Sequence, residues 1–263
     1  MKFKKILGID IGGSGIKGAP VDMKKGKLLE KRYRIETPNP ATPQAVADVI
    51  KAIAKHFNWE GAIGCGFPAV VLNGVIKTAS NIDKSWIDTN AADLFIKTTG
   101  LPVRVINDAD AAGLAAIKFG AGKGVRGSVL MLTVGTGIGS AFFTRGKLLA
   151  NTELGHLILN GVVAEKYTSD ATRKLEKLSW EDWGKRFNEY LLEMERLFWP
   201  ELIIIGGGVS KKMEKFTGQL TVKTKVVPAK LLNNAGIIGA AMSVRTNRGE
   251  LMSRFEILKK KVK

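Results

Sequence analysis

Residues 7–17 read LGIDIGGSGIK, and the expected architecture of the whole chain follows from them. An apolar run carrying Asp10 enters a turn with Gly12, Gly13 and Gly15, and a second apolar run follows. That order predicts a strand, a tight turn and a returning strand. Small residues in such a turn let backbone N–H groups approach a phosphate, and Asp10 can hold the phosphate's magnesium ion. Two other nucleotide motifs do not fit. Asp10 comes too early to be the ribose-binding acid of a dinucleotide site, and the Gly-Lys-Ser/Thr ending of a P-loop is missing. Glycine-rich hairpins are common at the start of sheets, so this stretch alone leaves a plain structural turn open.

A second stretch of the same design shifts the balance. Residues 128–143 read SVLMLTVGTGIGSAFF, in which an apolar strand meets Gly135, Thr136 and Gly137 and a second apolar run returns. The glycines stand where positive φ or close approach is expected. Two such hairpins predict two related lobes clamping one polyphosphate. A third run, Gly206-Gly207-Gly208, follows the apolar strand at 202–205, where a strand giving way to a helix favours a phosphate or nucleotide.

Together these segments resemble the two-lobed α/β fold of the sugar kinases and actin-like ATPases (ribonuclease H-like), with a central interlobe cleft. More narrowly they resemble the ROK family of repressors and sugar kinases. The resemblance continues through GCGFPAVV at 64–71, SN at 80–81, INDADAAGLAA at 106–116, ELGH at 153–156 and EKYTS at 165–169. GIDIGGSGIKGAPVD at 8–22 is similar to the family's polyphosphate glucokinase group, including its glucomannokinase variants. The resemblance spans about residues 6 to 245.

It implies a phosphotransferase that moves a phosphoryl group from inorganic polyphosphate, ATP or both to the 6-hydroxyl of glucose, with mannose as a further acceptor. The alternative is an ATP-only kinase for another hexose, such as mannose or N-acetylmannosamine. A sugar-responsive transcription regulator is the remote one, disfavoured because the phosphate hairpin leaves no room before it for a helix-turn-helix. On residues alone Asp108 reads best as a helix N-cap. The resemblance makes it the base that accepts the hydroxyl proton, and makes both Asp108 and Asn107 sugar ligands. It likewise places Glu153, His156 and Glu165 on the sugar, with Asn81 and the Gly66-Phe67-Pro68 loop as the other wall. It further implies that Asp10 places Mg2+ through water, that Gly12, Gly13, Ser14, Gly15, Gly135, Thr136 and Gly137 cradle the terminal phosphates, and that Gly207 and Gly208 face an adenosine if ATP binds. Gly15 stands where many members have lysine, and Lys17 is the expected nearby charge. A cysteine-rich zinc motif usual in the family is replaced at 157–164 by LILNGVVA, so no zinc site is expected. Family members are often dimers, which implies a homodimer here.

Composition agrees with a cytoplasmic enzyme. The 263 residues are 45% hydrophobic, enough for a sizeable core. No apolar run is long enough to span a membrane, and the N-terminal run breaks at Gly8 and Asp10, too soon for a signal peptide. The single cysteine, Cys65, lies in an apolar strand and reads as an inert buried thiol. The formal net charge of +17 implies a negative partner or environment, with a solvated basic surface as the alternative for any single cluster, Lys31 to Arg34 among them. Few aromatics accompany the basic clusters, which fits a baseless phosphate chain better than RNA, so no nucleic-acid partner is expected.

Along the chain, periodicity predicts strands near 5–11, 16–22, 28–35, 61–67, 74–78 and 102–106. Helices are expected at 43–56, 90–99, from about 109, at 168–177, at 180–198 and at 236–248. Trp183, Phe187, Tyr190, Leu191, Met194 and Leu197 form a stripe that reads as core or dimer contact. The first lobe should span 3–109 and the second 110–248. Residues 249–263 are expected to be a basic tail, frayed from Leu258 to Lys263.

Overall fold

The computed structural model describes residues 4–80, 82–246 and 248–261. By its internal packing the chain divides into two units, one running up to Ala115 and resuming from Asn234, the other spanning Ala116–Asn233.

In the first unit, β1 (Lys5–Gly12) turns back into β2 (Gly15–Asp22), followed by the short β3 (Lys27–Leu28) and β4 (Tyr33–Ile35). The strand expected at 28–35 is thus two short ones, both pairing with β2. After α1 (Pro43–His56) come β5 (Ile63–Phe67), the small hairpin β6 (Val71–Leu72) and β7 (Val75–Ile76), α2 (Ala91–Thr99), β8 (Val103–Asn107) and α3 (Asp108–Phe119). The sheet order is β3-β2-β1-β5-β8, with β5 parallel to β1 and β8 parallel to β5. Strand alternation sorts β1 by face. Leu7, Ile9 and Ile11 pack with Val46, Ile50 and Ile53 of α1 and with Phe67, Trp86 and Phe95. Gly8 and Asp10 point the other way.

That second face carries α7 (Ala235–Thr246), which meets the sheet backbone to backbone. A Cβ on Gly8 would collide with the Ile237 carbonyl, and one on Gly64 would collide with that of Ala240. Here glycine is required by close approach, not by backbone conformation. This seam corrects the expected boundaries. The helix expected at 236–248 in the second lobe is tied by its glycine-lined contacts to β1 and β5 of the first. The division also falls within α3, not at 109/110.

The fraying expected from Leu258 is likewise corrected as far as Lys261, the last described residue. Residues Arg248–Lys261 form α8, with Leu251 and Leu258 buried. Its anchor is Arg254, whose Nε lies 2.6 Å from Asp93 Oδ1 while Nη1 and Nη2 donate to Asn73 O and Asn90 Oδ1 at 2.7 and 2.8 Å.

The second unit repeats the plan of the first. Strand β9 (Ser128–Val134) turns back into β10 (Ile138–Thr144), and β11 (Lys147–Leu149) follows. Next come β12 (Ile158–Leu159), β13 (Val162–Val163), α4 (Ala164–Thr168), α5 (Asp170–Leu175), α6 (Trp180–Phe198), β14 (Leu202–Gly207) and β15 (Lys225–Pro228). The order β11-β10-β9-β14-β15, with β14 and β15 parallel and β10 antiparallel, matches the order β3-β2-β1-β5-β8 of the first sheet, which has β4 in addition. The expected helix at 168–177 is two short ones separated by Ser169, whose Oγ accepts from Thr172 N as an N-cap. Helix α6 lays Trp183, Phe187, Tyr190, Leu191 and Met194 into the core beside Leu130, Leu132, Ile203 and Ile205. The stripe is core, except for Leu197, which is exposed.

Candidate active site

In the first unit the candidate residues gather at the carboxyl ends of β1, β5 and β8. β1 and β2 stay paired to Gly12 and Gly15, leaving Gly13 and Ser14 as the exposed turn. None of Gly12, Gly13 or Gly15 adopts positive φ. Gly15 is needed for another reason: the guanidinium of Arg34 lies over it, so a Cβ there would be 2.5 Å from Arg34 Nε. Arg34 Nη2 donates to the Ser14 carbonyl at 2.5 Å, and Thr37 Oγ1 donates to that of Gly12 at 2.5 Å. Neither residue is legible from sequence as part of the site, because β4 and the loop after it bear no motif.

Asp10 sits behind the turn, opposite Lys17 on β2 and against the first turn of α7, where a Cβ on Gly236 would lie 2.9 Å from the carboxyl carbon. Desolvation pushes its carboxyl above the ordinary value, and Lys17 and Arg32 pull it partly back. Among the described residues no cluster of three or more His, Cys, Asp or Glu could cage a metal. A lone recessed carboxylate beside a phosphate turn fits Mg2+, which binds through one or two carboxylates, waters and substrate phosphates.

Asp108 opens α3 directly after β8 and is partly exposed. Its Oδ1 accepts from Ala109 N at 2.8 Å. The capping bond of the helix comes from its neighbour: Asn107 Oδ1 accepts from Asp110 N at 3.0 Å, and Asn107 Nδ2 donates to Ala69 O at 3.1 Å. The cap is therefore Asn107, which is 7% exposed, and the Asp108 carboxylate is not needed for that purpose. Asn107 keeps one N–H beyond its two structural bonds. Gly66 lies beside this pair, and a Cβ placed on it would be 3.5 Å from Asp108 Cα. A groove of about 470 Å3 joins Gly12 and Gly13 to Thr37–Ala41, Pro68, Ser80, Ile82 and Asp83. It brings the expected phosphate turn together with Pro68 of the expected sugar wall. Asn81 lies outside the described residues.

In the second unit Glu153, His156 and Glu165 converge. Leu154–His156 form a 3-10 turn seated on β10, with Leu154 N donating to Ser140 Oγ at 3.0 Å. His156 Nδ1 is 3.7 Å from Glu153 Oε2, and its Nε2 is 3.8 Å from Glu165 Oε1. Desolvation raises the Glu153 carboxyl, opposed by His156 and reinforced by Glu165. Glu165 has a second tie: its Oε2 accepts from Ile138 N at 3.1 Å and fills the space that a Cβ on Gly137 would need. Ala171 N donates to Gly135 O at 3.1 Å. The turn Gly135-Thr136-Gly137 is thus braced from α4 and α5, with Thr136 exposed at its tip. One carboxylate belongs to both the expected sugar cluster and the expected phosphate turn, a link the sequence does not announce.

The segment 157–164 closes this cluster as a hairpin. Asn160 and Gly161 both have positive φ, 53° and 81°, the conformation that an Asn-Gly turn between apolar strands favours. The Asn-Gly pair is the sequence signal for this hairpin, which lies outside the expected strands. Gly207, with φ 74°, pairs with Val134 next to the second turn, and Ser210 Oγ donates to its carbonyl at 2.8 Å. Exposed Gly207 and Gly208 lead into a groove of about 930 Å3 carrying Arg126, Lys211, Lys225 and Lys230 against Glu201.

The model of the ROK family matches residues 6–173, which hold both hairpins, Asp108 and the Glu153–Glu165 cluster. The chain belongs to the ROK family. Polyphosphate glucokinase of Mycobacterium tuberculosis is 47% identical over 238 residues, 90% of each chain. The crystal structure of inorganic polyphosphate/ATP-glucomannokinase from Arthrobacter sp. strain KM superposes with a TM-score of 0.88 at 46% identity, covering 92% of this chain and 98% of that one. A ROK family glucokinase from Streptomyces griseus, solved with glucose and AMPPNP, superposes with a TM-score of 0.78 at 25% identity, covering 92% and 100%. These structures carry the sugar-kinase, actin-like ATPase fold expected from the two hairpins. No helix among the described residues is long and apolar enough to cross a membrane.

Proposed function

We propose that this chain is a glucokinase that transfers a phosphoryl group from inorganic polyphosphate or ATP to the 6-hydroxyl of a hexose, with glucose as the principal acceptor. The observation that carries this reading is the repeated strand–turn–strand hairpin, one copy backed by Asp10 and the other braced by Glu165, in a ROK chain whose Asp108 leaves helix capping to Asn107. The names of two relatives above, a polyphosphate glucokinase and a polyphosphate/ATP-glucomannokinase, support the donor and the acceptor.

Each part has a chemical task. Asp108 accepts the hydroxyl proton as the oxygen attacks the terminal phosphorus. Glu153, His156 and Glu165 accept from and donate to ring hydroxyls, which orients the sugar. Gly12 to Gly15 and Gly135 to Gly137 hold the terminal phosphates through backbone N–H groups, with the Thr136 hydroxyl adding a donor. A bound Mg2+ supplies charge neutralisation on the donor oxygens, and Asp10 is the residue that would hold it. Arg126, Lys211, Lys225 and Lys230 form no ion pair among the described residues, so the groove beyond Gly208 offers unneutralised charge to the rest of a polymer.

The test is 31P NMR of the product formed from glucose, Mg2+ and long-chain polyphosphate, repeated at rising salt. The reading expects hexose 6-phosphate, with polymer use falling steeply as salt rises through counterion release. Phosphate on another carbon, or no sugar phosphate from either polyphosphate or ATP, overturns it.

A further inference from the structure

We infer that Arg34 is a donor-binding residue: its guanidinium is the cation that grips a phosphate at the first hairpin. The inference deepens the phosphotransferase reading above and rests on it. Four observations carry it. The guanidinium is delivered from β4 onto the turn, where Nη2 donates to the Ser14 carbonyl. It fills the space that a side chain at position 15 would use, since Nε, Cζ and Nη2 all lie within 2.8 Å of a Cβ placed on Gly15. Arg34 has no carboxylate partner among the described residues, whereas Arg173, Arg186, Arg196 and Arg254 all have one. Finally, Arg34 stands directly opposite Lys17 in the β2–β4 ladder, and Lys17 stands directly opposite Asp10 in the β1–β2 ladder.

That row of carboxylate, ammonium and guanidinium lies on one face of the sheet, because directly paired residues share a face. Two cations facing each other are unfavourable in the free protein. A bound anion removes the repulsion. A guanidinium keeps several N–H groups beyond the one given to Ser14 and presents them in a planar fork suited to phosphate oxygens. A sugar hydroxyl would neither need nor repay such an uncompensated charge, so the ligand is the phosphoryl donor.

The geometry makes a relocation test available. Gly15 does not have positive φ, so a side chain is tolerated there once Arg34 is shortened. Arg34→Ala should raise the KM for polyphosphate and for ATP by about 10- to 100-fold, the range for losing a charge-assisted contact, and change the KM for glucose less than about twofold. Arg34→Ala combined with Gly15→Lys returns a cation to the same place from the other strand and should recover most of the donor affinity. Tripolyphosphate binding by calorimetry should follow the same order without turnover. Unchanged donor KM and tripolyphosphate affinity in Arg34→Ala would overturn the inference. So would loss of donor and glucose affinity together with no recovery in the double variant, the mark of a purely structural clamp. Failure of the wild-type protein to phosphorylate any sugar would sink the kinase reading instead, and would be seen before any variant is made.

Discussion

The hairpin β1–β2 and the hairpin β9–β10 occupy the same place in sheets of the same strand order, yet their turns are held in different ways. The first is a two-residue turn gripped from its own sheet, by Arg34 and Thr37 on and after β4, with Asp10 set behind it. The second is a three-residue turn gripped from helices, by Glu165 of α4 and by Ala171 N of α5. The first turn therefore gathers cations near the recessed Asp10, the carboxylate proposed to hold Mg2+, while the second presents a hydroxyl at a tip braced by an acid. The repeated strand order gives the common scaffold; the residues that follow each hairpin hold its turn differently.

The largest effect should come from Asp108, which belongs to neither turn. Asp108→Asn should retain glucose binding while kcat falls by about 100-fold to 10,000-fold, because the amide can still hold a hydroxyl but cannot accept its proton. Calorimetry with glucose beside a coupled turnover assay separates the two effects. Near-normal turnover would remove Asp108 from the mechanism. Since Asn107 supplies the helix cap, the substitution should leave the melting temperature almost unchanged.

Asp10 distinguishes the first turn from the second through pH. Its folded-state carboxyl lies above the ordinary value of 3.8, so the native state binds more protons than the unfolded chain in that window. Stability from this group is therefore lost as pH rises from the ordinary carboxylate value through the raised one. Asp10→Asn removes the cost, so at neutral pH and without Mg2+ the variant should melt no lower than the wild type, and that advantage should vanish in acid. Turnover should nevertheless fall at least about 100-fold. A variant that melts well below the wild type at neutral pH would show that the ionised carboxylate stabilises the fold, against its assignment as a group kept for function at a cost in stability.

Much of the fold is legible from particular residues. Alternation around Asp10 and the glycines places β1 and β2, and the twin motif at 128–143 places β9 and β10. The apolar period of α6 places its core face. What escapes the sequence comes from contacts between residues far apart in the chain. The pull of α7 into the first unit depends on glycines at 8 and 64 meeting carbonyls at 237 and 240. The order of α8 depends on Arg254 finding Asp93 and Asn90, while the lysines that follow Leu258 make the segment read as a basic tail. At the site, Glu165 is legible by its motif, but its bond to the second turn is not. Asp108 reads as a cap from its position, where Asn107 takes that role. Arg34 carries no motif: it closes the basic run Lys31-Arg32-Tyr33-Arg34, which reads from sequence as a solvated charge cluster.

Whether both turns hold the donor is decided by Thr136→Val, with the KM for polyphosphate and the KM for glucose measured in parallel. Loss of one hydroxyl donor to a charged phosphate should raise the polyphosphate KM by about 10-fold and leave the glucose KM within about twofold. A rise in the glucose KM alone would make the second hairpin a sugar wall, and the donor would then be held by the first turn without it.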